Sequence, residues 1–162
     1  MALAVIGVLC ALCIPAYGDY TRRTYVSEGL ILSAVAKALV IEEVMVNTGG
    51  SMQRQPSYAT GPGGTPLPPT YKVIEQNPSR MIRQIVRAGS VVVITFNQAM
   101  DPGNRIEYSL VLTGSFPVNG GKMTFTCLSG SAAAPDLSAA RRAGATVGEP
   151  LPPEWAPASC RS

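Results

Sequence analysis

Histidine is absent from the 162-residue chain. That excludes imidazole acid–base catalysis, Ser-His-Asp triads and His-ligated metal sites. The most reactive side chains left are four cysteines, and they form two unlike pairs. Cys10 and Cys13 have the C-x-x-C spacing of a redox motif, but an active thiol needs an electropositive, partly wet site that favours the thiolate. Ala11, Leu12 and Ile14 offer the reverse. The pair therefore reads as reduced thiols in apolar packing, and a bridge between positions i and i+3 of a helix would need distorted geometry. Cys127 and Cys160 lie among Gly, Ser, Pro and Ala near the C-terminus. They read as a disulfide of an oxidising compartment, one that would pin a tail otherwise prone to fray; the alternative is two free thiols.

Paired-carboxylate chemistry fails on geometry. Glu42 and Glu43 are adjacent in a helical stretch and point about 100° apart, so they read, with Glu28, as solvent-facing or salt-bridging groups. Arg80, Arg83 and Arg87 make a mild basic patch, read as a solvated face in preference to a DNA site, and Arg141-Arg142 reads as an exposed loop feature. A net charge of +3 is too small to argue for nucleic acid, and 6% aromatic residues make a poor base-stacking surface. There is no phosphate loop, metal constellation or nucleophile–base pair. The chain reads as a non-enzyme that uses no cofactor and no metal.

The elements around these residues are unevenly apolar. Hydrophobic residues make up 46% and charged residues 14%, well under the usual quarter, and no charge falls between Met1 and Gly18. As a helix, Met1–Tyr17 spans roughly 26 Å, slightly short of a hydrocarbon core of about 30 Å. It runs directly into a second helical segment, Asp19–Asn47, with a stop signal at Asn47-Thr48-Gly49-Gly50. Leu30-Ile31-Leu32 and Leu39-Val40-Ile41 are apolar in three successive directions, so this helix must be covered on more than one side. A sheet can cover only one. The other cover must come from membrane or from further copies of the chain.

Ser51–Pro78 is an irregular loop rich in Pro and Gly. Strands follow at Met81–Ala88, Val91–Phe96, Arg105–Thr113 and Met123–Leu128, with turns at Gly89-Ser90, at 101–104 and at Asn119-Gly120-Gly121. In the third strand Ile106, Tyr108, Leu110 and Leu112 share one face. From Ser129 the chain is small and Pro-rich, with a helical turn at Asp136–Arg142 and an exposed, variable stretch at Ser131–Glu149. The fold class is α+β: a long N-terminal helix packed on a four-stranded antiparallel sheet, then a disulfide-closed C-terminal loop. Residues 1–18 form an apolar helix half and 19–162 one domain. Within it lie an amphipathic helix (19–47), a loop (48–79), a sheet (80–128) and the closed loop (127–160).

Two stretches at opposite ends carry a resemblance. Ala4-Val5-Ile6-Gly7-Val8-Leu9, Ile14-Pro15-Ala16-Tyr17-Gly18-Asp19-Tyr20-Thr21 and Val26-Ser27-Glu28-Gly29-Leu30 resemble the conserved helix of type IV pilins of the IVa class. Cys127, with Leu151-Pro152-Pro153-Glu154-Trp155-Ala156-Pro157-Ala158-Ser159-Cys160-Arg161, resembles that class's C-terminal disulfide loop. The resemblance places Met1 about seven residues into the mature chain, so the family's leader, its cleavage site, its methylated N-terminal aromatic and an early glutamate are not within this sequence; a late start, a truncation and a protein without the standard processing are the three explanations, and about seven more residues would give a comfortable membrane span.

The resemblance implies a structural subunit of a type IV pilus. Residues 1–18 would anchor it in the bacterial inner membrane and then form the core of an extracellular helical filament of identical subunits, built by the pilus assembly machinery. Adhesion, twitching motility and DNA uptake would be its roles, with host surfaces, phage or DNA as contacts. The alternatives are a minor pilin, a type II secretion pseudopilin or a monomeric membrane-anchored binding module. Pro15, with Gly7 and Gly18, marks either a tolerated kink or a stretch that loses helix on assembly. Arg22-Arg23 is an interface charge or a partner for acidic groups on neighbouring subunits. Ser162, just beyond the disulfide loop, is a candidate O-glycosylation site.

Overall fold

The structure, a computed structural model, describes residues 2–48, 72–115, 122–142 and 144–161. Helix α1 (Ala2–Leu32) continues into α2 (Ala34–Thr48). The backbone ladder crosses their junction, with Ser33 N donating to Gly29 O and Lys37 N to Ser33 O at 3.0 Å each. Ser33 is buried, and its hydroxyl donates to Leu30 O at 2.7 Å, a back-bond of the kind that bends helices. The two helices together are roughly 70 Å long at about 1.5 Å per residue. The helical path includes Pro15. The side chains of residues 8–17, Cys10 and Cys13 among them, lie outside the described residues, as do the turn at Asn119-Gly120-Gly121, most of the Pro-rich loop and Ser162.

The sheet runs β1 (Lys72–Gln76), β2 (Ile82–Ala88), β3 (Val91–Phe96), β4 (Tyr108–Ser115), β5 (Thr124–Leu128) in spatial as well as chain order, every neighbour antiparallel. Ile85 sits opposite Ile94, Ile94 opposite Leu110, and Leu112 opposite Cys127. Gly89, with φ of 56°, supplies the left-handed residue that the two-residue β2–β3 turn needs. The four expected strands are all present, but the sheet has six among the described residues. β1 lies where the irregular loop was expected: in the proline-free stretch between Pro69 and Pro78, Lys72, Val73, Glu75 and Gln76 pair with β2, with a bulge between Val73 and Glu75. A two-residue β6 (Glu149–Pro150) joins β4 in parallel beside Tyr108 and Ser109. The third strand begins at Tyr108 and not at Arg105. Arg105 has a φ of 53°, which is not extended backbone, and Ile106 is 37% exposed instead of lining the core.

The helix seats on one face of this sheet. Val26, Gly29, Ser33, Ala36 and Val40 recur every three or four residues and are buried, the stripe that a 3.6-residue period places on one side. They meet Ile82, Ile85, Val92, Ile94, Phe96, Leu110 and Leu112. Gly29 allows close approach, since a Cβ there would lie 3.0 Å from the Phe96 ring. The opposite face is covered too. A 13-residue helix, α3 (Gly130–Arg142), packs Ala133 and Leu137 on Val86, Val91, Val93 and Val111. This corrects the expectation of a single helical turn in an exposed stretch. Pro135 inside the helix hides its start, and an Ala/Ser-rich segment shows its buried side only where a valine surface lies beneath it. Arg141 is likewise no loose loop residue: it donates to Val147 O and Gly148 O and pairs with Glu149.

Candidate functional site

Two features stand out as functional, and the first is the base of the helix. Arg22 lies one turn beyond Gly18. Its guanidinium pairs with Asp19 and with the buried Asp101, both at 3.3 Å, and lies 4.3 Å from the centroid of the Trp155 ring. Asp101 is 3% exposed and also accepts from Asn104 Nδ2 at 2.9 Å and from the Tyr108 hydroxyl at 3.3 Å. Tyr108 meets Trp155 edge-on at 5.1 Å. Burial pushes the Tyr108 phenol above its ordinary range, and the Asp101 carboxylate adds to the shift by its charge and its hydrogen bond. Arg23 Nε donates to Glu154 O at 2.9 Å. One cluster thus joins three segments distant in sequence: the helix, the β3–β4 loop and the C-terminal tail.

The tail is held by covalent and polar ties. Cys127 on β5 is bonded to Cys160. Cys160 is buried, and its carbonyl accepts from Ser129 Oγ at 2.5 Å. Gly130 N donates to Leu151 O at 2.8 Å, and Leu151 N to Ser109 O at 3.0 Å. On the α3 side, Gln84, Thr95 and Ser109 form a buried polar row that docks the chain before β6. Gln84 donates to Thr146 O, Ser109 Oγ accepts from Gly148 N at 2.8 Å, and Thr95 and Ser109 share a 3.0 Å hydrogen bond.

The second feature is the helix face turned away from the sheet. Ile31 is 73% exposed, Val35 52%, Ile41 37% and Met45 55%, and Ala34 and Ala38 between them are exposed as well. These residues follow the same three-to-four spacing as the buried stripe on the other side. The long apolar helix, the antiparallel sheet on which half of it rests and the disulfide at the tail together make a pilin-like α+β fold.

Comparison with known proteins points the same way. The chain is 29% identical over 99 residues to a type IV major pilin protein PilE1 of Neisseria gonorrhoeae, covering 61% of this chain and 49% of that one. A second PilE1 of the same species is 36% identical over 62 residues, or 38% of this chain and 28% of that one. The chain is similar to the type IV major pilins. A fimbrial protein of Neisseria meningitidis serogroup B adds 43% identity over 42 residues, 26% of this chain and 25% of that one. This pilin-like chain spans about half the length of the first of these relatives and less of the others. The likeness is to structural, non-enzymatic proteins. No family model matches the chain.

The residues singled out from the sequence of this pilin-like chain fall in different places. Cys127 and Cys160 are brought together and bonded. Gly7 and Gly18 lie on the helix where a Cβ would meet nothing within 4 Å among the described residues. Glu43 pairs with Arg87, and Glu107 with Arg83. The mild basic patch is therefore largely neutralised within the chain. Arg22 finds its acidic partners in its own chain. Sequence reasoning misses Asp101, Tyr108 and Trp155 as a unit. Asp101 reads as a turn residue and Tyr108 as one of an alternating face, and no spacing signal links either to Arg22 or Trp155.

Proposed function

We propose that this chain is a structural subunit of a type IV pilus, polymerising into an extracellular filament of identical copies. The carrying observation is the exposed apolar stripe of Ile31, Val35, Ile41 and Met45 on a helix whose opposite face is already seated on its own sheet. A continuous apolar face of that kind marks a contact with another molecule, and in this reading neighbouring copies of the same helix cover it. In this reading residues 1–18 sit in the inner membrane before assembly. The pilus assembly machinery then moves the subunit into the filament, where Gly7, Pro15 and Gly18 mark a stretch that loses helix. Adhesion and twitching motility are the roles such a filament would serve, with DNA or phage as further contacts. The test is electron microscopy and peptide mass spectrometry of filaments sheared from cells. Filaments containing this chain are expected. Their absence from cells that express it would overturn the reading in favour of a membrane-anchored module.

Ser162 belongs to the same proposal. It lies two positions beyond the bridged Cys160 and next to Arg161, which is exposed; a chain end is a place where a sugar displaces little packing. Intact mass of the native protein is expected to exceed the sequence mass by a glycan, and the excess should vanish in Ser162→Ala. A native mass without that excess, or an excess that survives the substitution, removes Ser162 as the site.

A further inference from the structure

We propose that Arg22 is the point at which the helix is fastened to the domain, and that the Cys127–Cys160 bridge keeps this fastening closed through Trp155. Resting on the filament reading above, this gives the N-terminal half of the helix a fixed limit: it is free to change conformation as far as Gly18 and no further.

Among the described side chains, the ties from the helix to the domain gather near Arg22. Gly7 and Gly18 have nothing among the described residues within 4 Å of a Cβ position, and Ile6 is 56% exposed. At Arg22 the situation changes within one turn. Its guanidinium bonds Asp101 at 3.3 Å and lies over the Trp155 ring, and Arg23 reaches Glu154 O. Val26, the first buried residue of the seated stripe, comes one turn later. Unwinding that passed Gly18 into this turn would pull Arg22 away from a carboxylate that is 3% exposed. A buried charge left without its partner is strongly unfavourable, so melting stops there.

Two of the holds on this turn, the Trp155 ring and the Glu154 carbonyl, come from the tail. Beyond β6 the covalent tie between tail and sheet is at Cys160. With that bond absent, the segment beyond Leu151 keeps the packing of Trp155 and Ala156 and the Ser129–Cys160 hydrogen bond but no covalent tie to the sheet, and a chain end held so lightly frays. The helix base would then keep Asp101 but lose both tail contacts.

The experiment is amide hydrogen exchange on the full chain in detergent micelles, comparing wild type, Trp155→Leu and the paired Cys127→Ser, Cys160→Ser variant. Both variants are expected to raise exchange of the amides of residues 19–25 by about tenfold or more, with residues 36–45 unchanged, because local openings draw only on local contacts. Should the paired variant not fold, folded wild type opened by a trialkylphosphine takes its place. With water supplying the oxygen and the two thiol protons, the phosphine reduces the S–S bond to two thiols and becomes the phosphine oxide. Wild-type protection of residues 19–25 in Trp155→Leu overturns the clamp, and wild-type protection with the bridge open overturns the coupling. A rise spread evenly along the helix overturns both. These readouts need no filament, so their failure is separate from an absence of filaments under the microscope.

Discussion

Tyr108 gives the domain an alkaline pH sensitivity that can be assigned to a single residue. It is buried against Trp155 and donates to Asp101, with Arg22 and Glu154 also facing it. Its folded-state pKa is raised, first by burial and then by the Asp101 charge. The folded state therefore holds the phenolic proton more tightly than the unfolded chain, in which the group titrates near pH 10. This contribution is fully present below about pH 10 and is lost as pH rises through the folded value. Thermal melts between about pH 9 and pH 11 should show stability falling, and Tyr108→Phe should flatten the fall while costing about 1 kcal/mol at neutral pH for the lost hydrogen bond. Equal alkaline slopes in the two proteins would remove Tyr108 as the source.

Among the elements, the two helices make opposite demands on the sheet, and substitutions separate them. α3 is a packing element. Leu137 is 1% exposed and sits over the valine face of β2, β3 and β4. Leu137→Ala should therefore destabilise the domain by about 2–5 kcal/mol, read from chemical denaturation. The outward face of α1–α2 is an assembly element in the proposed filament. Ile31→Glu changes a side chain that is 73% exposed, so subunit stability should move by no more than about 0.5 kcal/mol. Filament yield by microscopy should drop to background, because a charge would be buried between copies. A normal yield of filaments would place Ile31 outside the contact.

For the molecule as a whole, one covalent link closes most of the chain beyond the sheet. The Cys127–Cys160 bridge spans a sequence separation of 33 residues and encloses α3 and β6. The chain-entropy account assigns such a loop about 3–4 kcal/mol, a large share of the roughly 5–15 kcal/mol typical of a domain. Replacing both cysteines by serine should lower the denaturation midpoint accordingly, with the loss read by urea titration of the oxidised wild type beside the variant. A midpoint unchanged by the substitution would mean that Leu151, Trp155 and the polar row of Gln84, Thr95 and Ser109 hold the tail unaided.

Short-range pattern is enough to encode part of this molecule. The helix through Thr48, the hairpin at Gly89-Ser90, strands β2 to β5 and the apolar excess of residues 30–41 come from local propensity and periodicity. The Cys127–Cys160 pair was legible because both stand among Gly, Ser, Pro and Ala, where a bridge has something to hold. Tertiary structure alone decided the features that depend on distant partners. β1 pairs because β2 offers an open edge to Lys72, Val73, Glu75 and Gln76. α3 forms a full helix because Val86, Val91, Val93 and Val111 lie beneath Ala133 and Leu137. The Arg22–Asp101–Trp155 cluster joins residues 22, 101 and 155, whose separation no periodicity can express. Burial is a property of the assembled surface, and a single residue type in a Pro- and Ala-rich stretch carries no record of it.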